Sequence, residues 1–325
     1  MRIIFDGNNT ALRCDYVSDL YNSQGKRTSA ILGVLDTISC TTDTLQDLTG
    51  QDVTDIIFVW DLGKSERRKA LWPEYKAHRH KDLVDPIADA EAKLKRQEQL
   101  EQMDYLHMVL PSFGIKSIRL KGEEADDLAY DLKCELRKLD PNDEIIYVTS
   151  DGDYLQLVDK YCSVWSPMKK TLITLKNFKE VIGVKIESFI DYKVLIGDKS
   201  DNIPGIDGIG KLKSAMYMNT YVSVDNLIKT VATDKKLQSS KILSKFLHSD
   251  THETVSIGQQ LIDFKYVDYS NIQDRLQEFI ASEVHLDKKE VKRVLMTNQF
   301  TSILAKMNDF MRIFNDLEYN KHGEL

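Results

Sequence analysis

Residues Gly122–Asp127 read GEEADD, and the apolar stretch LAYDL follows at helical spacing. Three acids, Glu124, Asp126 and Asp127, fall within four residues. Acids in a first helical turn complement the macrodipole, so one such cluster is ordinary by itself. Here the cluster recurs. Asp6 follows IIF, Asp61 follows IIFVW, Asp151 and Asp153 follow IIYVTS, and Asp198 and Asp201 sit in IGDKSDNIPG. In an open parallel sheet, ligands bind beyond the carboxyl ends of the strands. Three of these clusters end strand-like runs, so all are expected to converge on one edge. That predicts a pocket of nine carboxylates: Asp6, Asp61, Glu124, Asp126, Asp127, Asp151, Asp153, Asp198 and Asp201.

Two carboxylates about 4 Å apart repel by roughly 4 kcal/mol at an effective dielectric near 20. Such a pocket therefore requires counter-ions. Hard divalent cations with oxygen ligands meet the need, and Mg²⁺ takes few carboxylates per ion. Nine acids suit two ions or more, and two-metal sites perform in-line phosphoryl displacement. The residues themselves point to phosphodiester chemistry.

The elements that must hold these acids read as follows. Residues 1–6 are a buried strand, and GNNTALRC opens a helix with Asn9 as its cap. Arg13 lies seven residues after Asp6, near the pocket if that helix runs from it. Residues 28–48 are helical, with Ile31, Leu35 and Ile38 on one face, and 56–60 form a second buried strand. Residues 63–81 are basic, contain Trp72 and Tyr75, and are broken by Pro73. Basic residues interleaved with aromatics suit single-stranded nucleic acid, with Arg67, Arg68 and Tyr75 as candidate contacts. Lys76 and Arg79 are spaced to share a helical face. A long charged helix spans 86–110. Strands follow at 116–120 and 145–150, then an edge pair at 164–175. Strand, acid and helix repeated in this way indicate an α/β domain with a largely parallel sheet.

Residues 186–197 form a helix leading to the turn Pro204–Gly210, which is too rich in glycine for a helix interior. Its backbone N–H groups, with Lys211 and Lys213, offer an anion site without sequence preference, through Gly205, Gly208 and Gly210. From about 220 to 325 the text is helical and amphipathic, and Leu261–Phe264 and Ile303–Phe314 read as packing.

Composition bounds the rest. The chain has 325 residues, 42% hydrophobic and 29% charged, as in a soluble globular protein of one large or two ordinary domains. No run approaches the roughly 18 apolar residues of a membrane span, so no membrane partner is expected. The start MRIIFDG reads as a strand rather than a signal peptide. Cys14, Cys40, Cys134 and Cys162 lack CxxC spacing and read as reduced thiols of a cytoplasmic protein. The net charge of −7 looks wrong for a nucleic-acid enzyme. Setting the nine pocket acids aside leaves 42 acids against 44 Lys and Arg, a remainder of about +2. Residues 64–81 concentrate Lys64, Arg67, Arg68, Lys69, Lys76, Arg79 and Lys81 against two glutamates.

DGNNTALR, LGKSERRKALWPEYKAHR, EEADD, TSDGDYLQL and GDKSDNIPGIDGIG resemble, in order and spacing, the motifs of the 5′-nuclease superfamily. That superfamily includes flap endonucleases and the 5′→3′ exonuclease domain of bacterial DNA polymerase I. The motifs span about residues 1–215. WSPMKK, LIDFKY and the last helices are more weakly similar to the ribonuclease H of T-even phages, whereas GIDGIG looks like the flap-endonuclease pattern. The resemblance implies a PIN-like, resolvase-like α/β domain at 1–183 with a helical arch at about 63–100. It implies a helical domain at 184–325 with a helix–three-turn–helix at about 198–218. It implies that Asp6, Asp61, Glu124 and Asp126 hold a first metal, that Asp151 lies between sites, and that Asp153, Asp198 and Asp201 serve a second, with Asp127 outside them. Lys76 and Arg79 match the arch residues that grip the scissile phosphate, and Arg13 matches a first-helix basic position. Pro204–Lys213 matches the element that binds duplex backbone and often a K⁺ ion. The implied activity is Mg²⁺-dependent, with Mn²⁺ able to substitute. It is 5′→3′ exonuclease, flap endonuclease and ribonuclease H action on branched or nicked DNA and RNA/DNA duplexes, removing primers in replication. A monomer is expected, in the host cytoplasm if phage-encoded. The implied partner is a phage single-stranded DNA-binding protein, met by Phe300, Phe310 and Phe314 if some of them lie exposed; otherwise the last helices buttress the helix–three-turn–helix. The rivals are a PIN-type ribonuclease and a non-catalytic, structure-specific DNA-binding protein.

Overall fold

The computed structural model describes residues 1–79 and 85–322. Its sheet has six strands among them: β1 Arg2–Asp6, β2 Asp55–Trp60, β3 Lys116–Arg119, β4 Ile145–Val148, β5 Cys162–Ser166 and β6 Thr171–Ile173. Their order is β3-β2-β1-β4-β5-β6, parallel except for the antiparallel edge pair β5–β6. The central strands are continuous apolar runs because both faces of a parallel sheet are covered. Alternation then divides them: Ile3, Phe5, Ile56 and Phe58 enter one core, and Ile4, Ile57 and Tyr147 the other. Register aligns the strand ends. Asp6 pairs with Val59, two residues before Asp61, and Phe5 pairs with Val148, three before Asp151.

The helices follow in chain order: α1 Gly7–Val17, α2 Ser29–Thr49, α3 Glu66–Leu71, α4 Pro86–Val109 and α5 Ala125–Leu139. After the sheet come α6 Phe178–Ile182, α7 Phe189–Ile196, α8 Lys211–Tyr221, α9 Val224–Thr233, α10 Lys235–Gln238, α11 Ser249–Ile262 and α12 Gln273–Ala281. The last three are α13 Lys288–Thr297, α14 Thr301–Ala305 and α15 Met307–His322. Leu128, Leu132 and Leu136 of α5 sit in the core that continues into α7–α12; α2 and α4 cover the other face.

Several expectations change. The cap of α1 is Asp6, not Asn9, because the helix starts directly after the strand; the Asp6 carboxylate accepts from the Asn9 N–H at 3.0 Å. The expected second domain at 184–325 is divided. From about residue 285 the chain returns to the first core, where Val291, Leu295, Phe314 and Leu317 pack with Ile3 and Phe58. The Asp287 N–H donates to Ser112, and Phe113 meets Phe314 edge-on at 5.2 Å. The last helices therefore buttress the sheet domain, not the helix–three-turn–helix. Phe300 and Phe314 are buried, which removes them as a partner surface; Phe310 is half-buried.

Candidate metal centre and nucleic-acid face

Eight of the nine acids line one cavity of about 260 Å³: Asp6, Asp61, Glu124, Asp126, Asp151, Asp153, Asp198 and Asp201. Asn8, Asn9, Lys76, Arg79 and Ser200 add polar groups to its wall, and Leu12, Ala125 and Tyr154 complete it. The strand ends supply Asp6, Asp61 and Asp151, and the first turn of α5 supplies Glu124 and Asp126. Local hydrogen bonds fix them. Asp6 accepts from the Thr149 hydroxyl at 3.0 Å as well as from Asn9. Asp61 accepts from the Ala125 N–H at 2.7 Å, tying β2 to α5, and its own N–H donates to the Asn8 side chain at 2.9 Å. Asp151 accepts from the Asp153 N–H at 2.9 Å, and Asp198 from the Ser200 N–H at 2.8 Å.

Burial pushes Asp6 up to about 8, with Asp61 and Asp151 adding repulsion and its two hydrogen bonds opposing. Burial in the wall and neighbouring carboxylates raise Asp61 and Asp151 too. Both reach water at the cavity mouth, so screening weakens their part of the effect. Burial alone would raise Glu124, but Lys76 and Arg68 override it and hold its carboxyl below the usual range.

The donor set fits hard divalent ions. It is all oxygen, and no imidazole or thiolate lines the cavity among the described residues. Protein cations stand among the acids. Lys76 Nζ is 2.9 Å from Glu124, Arg79 pairs with Asp201, and Lys193 donates to Asp153 and Asp198. Ligand atoms of Glu124, Asp126 and Asp127 lie within 4.8 Å of one another. Arg68 occupies that cluster, at 2.6 Å from Glu124, 2.7 Å from Asp127 and 3.3 Å from Asp126. Asp127 is turned to Arg68 and away from the cavity wall.

Several expected contacts are relocated. Arg68 and Tyr75 are buried, not open to nucleic acid: the Tyr75 hydroxyl donates to Glu124 at 2.7 Å, and Arg68 Nε to the Leu261 carbonyl at 3.2 Å. Arg67 is half-buried and donates to the Gln260 carbonyl at 2.8 Å. The reason is that α3 packs on α11, so its cations satisfy carbonyls and acids inside. Arg13 misses the cavity and lines a separate groove with Asp36 between α1 and α2. Seven residues carry it about 10 Å down the helix axis. Lys76 and Arg79 do reach the cavity, but from turns and not from a helical face; Lys76 has φ +53°. Lys81 lies outside the described residues.

Residues 72–79 lie on the loop before α8. The Lys76 N–H donates to Asp201, Trp72 Nε1 to the Asn202 carbonyl, and Asn202 Nδ2 to the Glu74 carbonyl, at 2.8–2.9 Å. Beyond that loop, Ile203, Ile206 and Ile209 are buried at three-residue spacing, leaving Gly208, Gly210, Lys211 and Lys213 exposed and Gly205 half-buried. Lys213 Nζ donates to the Gly208 carbonyl at 2.9 Å.

Sequence reasoning missed Lys193, Thr149, Asn8 and Asn9 as side chains of the site. Thr149, Asn8 and Asn9 flank the acids in sequence, and Lys193 is the one basic residue of the apolar helix FIDYKVLI. Those were the available signals.

Acids at the carboxyl edge of a mostly parallel sheet, followed by a helical region, define a resolvase-like domain joined to a SAM fold. Residues 1–183 match the family described as 5′-3′ exonuclease, N-terminal resolvase-like domain, and 184–284 its C-terminal SAM fold. The chain belongs to the 5′-3′ exonuclease family. It is 30% identical over 238 residues to a 5′-3′ exonuclease of Buchnera aphidicola subsp. Acyrthosiphon pisum, covering 72% of this chain and 76% of that one. It is 31% identical over 245 residues to DNA polymerase I of Caldicellulosiruptor bescii, covering 73% of this chain but only 26% of the polymerase. In fold it is similar to the bacteriophage T5 flap endonuclease, solved as a pseudo-enzyme-product complex with DNA and metal ions. That likeness has a TM-score of 0.62 at 22% identity and covers 92% of this chain and 99% of the other.

Proposed function

We propose that the chain is a divalent-metal-dependent nuclease acting from 5′ ends, as a 5′→3′ exonuclease with ribonuclease H action and as a flap endonuclease. It would remove RNA primers and adjoining DNA during replication. The observation that carries this reading is the convergence of eight carboxylates, an all-oxygen donor set, beside Lys76 and Arg79. Asp6, Asp61, Glu124 and Asp126 would hold one ion, and Asp153, Asp198 and Asp201 another, with Asp151 between. When bound, Mg²⁺ or substituting Mn²⁺ would activate the attacking water and stabilise the leaving oxygen. Lys76 and Arg79 would release their carboxylates to orient the scissile phosphate. Gly208, Gly210, Lys211 and Lys213 would follow duplex phosphates, which carry no base information. A K⁺ ion at this hairpin would share its carbonyls with Lys213, which already takes that of Gly208.

The protein would act as a monomer on branched or nicked DNA and RNA/DNA duplexes. No helix among the described residues is long and apolar enough to cross a membrane; the cytoplasm, the host's if the gene is a phage's, is the proposed location. Any contact with a single-stranded DNA-binding protein would avoid the buried Phe300 and Phe314.

The test uses 5′-labelled RNA-primed duplex, nicked duplex and flap, with Mg²⁺ and with chelator. Release from all three 5′ ends is expected with Mg²⁺ alone. Asp126→Asn should lose most cleavage while keeping substrate affinity. Cleavage in chelator, or full turnover by the variant, would sink the metal assignment. Binding without cleavage would favour a structure-specific DNA-binding protein, and cleavage of RNA without regard to 5′ ends a PIN-type ribonuclease.

A further inference from the structure

Three protein cations meet the cavity acids from outside the Arg68 cluster. Lys76 and Arg79 ride on the 72–79 turn. Lys193 is different: it projects from α7, between the buried Val194 and a helix start fixed by the buried Phe189. Its ammonium donates to Asp153 and lies 3.3 Å from Asp198. The two acids come from separate segments, one after β4 and one after α7, and Lys193 is what joins them. Its side chain is 15% exposed, and it lines the neighbouring groove with Asp198 and Lys211, so it holds the two acids from behind the cavity wall.

Both carboxylates converge on one ammonium, so a divalent ion drawn to this pair of acids meets it there. The ammonium and the ion then compete for the same oxygens. Arg68 does not pose this problem, because its planar fork is locked by three acids and the Leu261 carbonyl. Lysine is a point charge on a flexible four-carbon stem and can swing away.

We propose that Lys193 is a built-in competitor for the divalent ion on the Asp153–Asp198 side. It keeps these acids neutralised and together while the ion is absent, and it lowers the ion's affinity until substrate adds further oxygen ligands. The inference rests on the two-ion reading of the cavity. It assigns Lys193 a positioning and affinity-setting role, not a catalytic one.

The sign of one measurement separates this from a plain structural ion pair. Loss of a structural pair would let the acids drift apart and weaken metal binding; loss of a competitor strengthens it. The full chain is titrated with Mn²⁺ by calorimetry, without nucleic acid, with free Mn²⁺ followed by electron paramagnetic resonance. The unchanged chain should show a tight and a weaker class of site. Lys193→Gln should tighten the weaker class on the order of tenfold, since removing a unit charge a few ångströms away exceeds the 1.4 kcal/mol a tenfold change represents. Lys193→Arg, which keeps the charge, should stay within about threefold of the unchanged chain. A weaker class that is unchanged or loosened in Lys193→Gln overturns the proposal. If the Gln variant is too unstable in chelator to titrate, its melting temperature is followed against Mn²⁺. A steeper rise than in the unchanged chain supports competition, and an equal or shallower rise refutes it. An unchanged chain that binds no Mn²⁺ overturns the metal reading itself, a result distinct from failure of the Lys193 inference.

Discussion

Arg68 gathers Glu124, Asp126 and Asp127 onto one buried guanidinium. Dehydrating these charges is costly, and only close pairing offsets it. Arg68→Met would leave Asp126 and Asp127 without an internal cation and Glu124 with Lys76 alone, so a loss of about 3–5 kcal/mol is expected in urea unfolding. Lysine there should not restore it, because one ammonium cannot reproduce the fork. A variant as stable as the unchanged chain would show that solvent ions already balance these acids. One turn further along α5, Asp131 is fully buried, and neither carboxylate oxygen has a hydrogen-bond partner in the structure. Burial pushes it up to about 8, with Asp127, Glu123, Asp126 and Glu135 adding repulsion. A carboxyl raised in the folded state stabilises below its unfolded value near 4, and that stability is lost as pH rises through about 8. In chelator, stability should therefore fall between pH 5 and 8, with Asp131 contributing up to about 1.4 kcal/mol per pH unit. Asp131→Asn should flatten that part of the curve. Parallel curves for the two proteins would mean that water already solvates Asp131.

At the scale of elements, the hairpin between α7 and α8 separates a structural glycine from an open one. A Cβ on Gly205 would overlap the Ile196 carbonyl and crowd Gly197, whereas a Cβ on Gly210 meets nothing within 4 Å. Gly205→Ala should lower the melting temperature markedly. Gly210→Val changes the N-cap of α8 and should cost only about 1 kcal/mol, yet weaken binding to all duplex sequences alike. A base-specific loss would point to groove readout, and an unchanged duplex affinity would free the hairpin of the role. This level was largely legible in the text. Buried parallel strands announce themselves as IIF, IIFVW and IIYV, and the acids follow directly, so the edge they share could be read without coordinates. The direction of the basic residues could not. Arg67 and Arg68 turn inward because α11, nearly two hundred residues later, brings the carbonyls of Gln260 and Leu261 to them. Lys76 shares no helical face with Arg79, because hydrogen bonds to Asp201 and Asn202 hold its segment in turns.

The whole molecule closes at the edge of the sheet opposite the acids. Lys321 reaches Asp55, the first residue of β2, at 3.0 Å and donates to the Gly114 carbonyl at 2.7 Å. Asn320 donates to the Val53 carbonyl at 3.0 Å, and Arg312 pairs with Asp43 of α2. The amphipathic spacing of α13–α15 was visible in the sequence, but an apolar stripe carries no address. Its partner is a face built from residues 3–58 and 103–115, and only the tertiary fold supplies that match. These helices therefore belong to the cooperative unit that fixes the acids, although none of their residues lines the cavity. Phe314, with no exposed surface and packed on Phe113, is the place to test it. Phe314→Ala should cost about 3–5 kcal/mol, a cavity-forming loss. Trp60 and Trp165 lie in the same core, so their fluorescence in urea reads it directly. The midpoint should fall in one transition with an unchanged slope. Deleting residues 285–325 should abolish that transition. A truncated chain that keeps both its melting temperature and its tryptophan signal would show that the sheet domain folds without them, and would return the last helices to the role of a detachable partner surface.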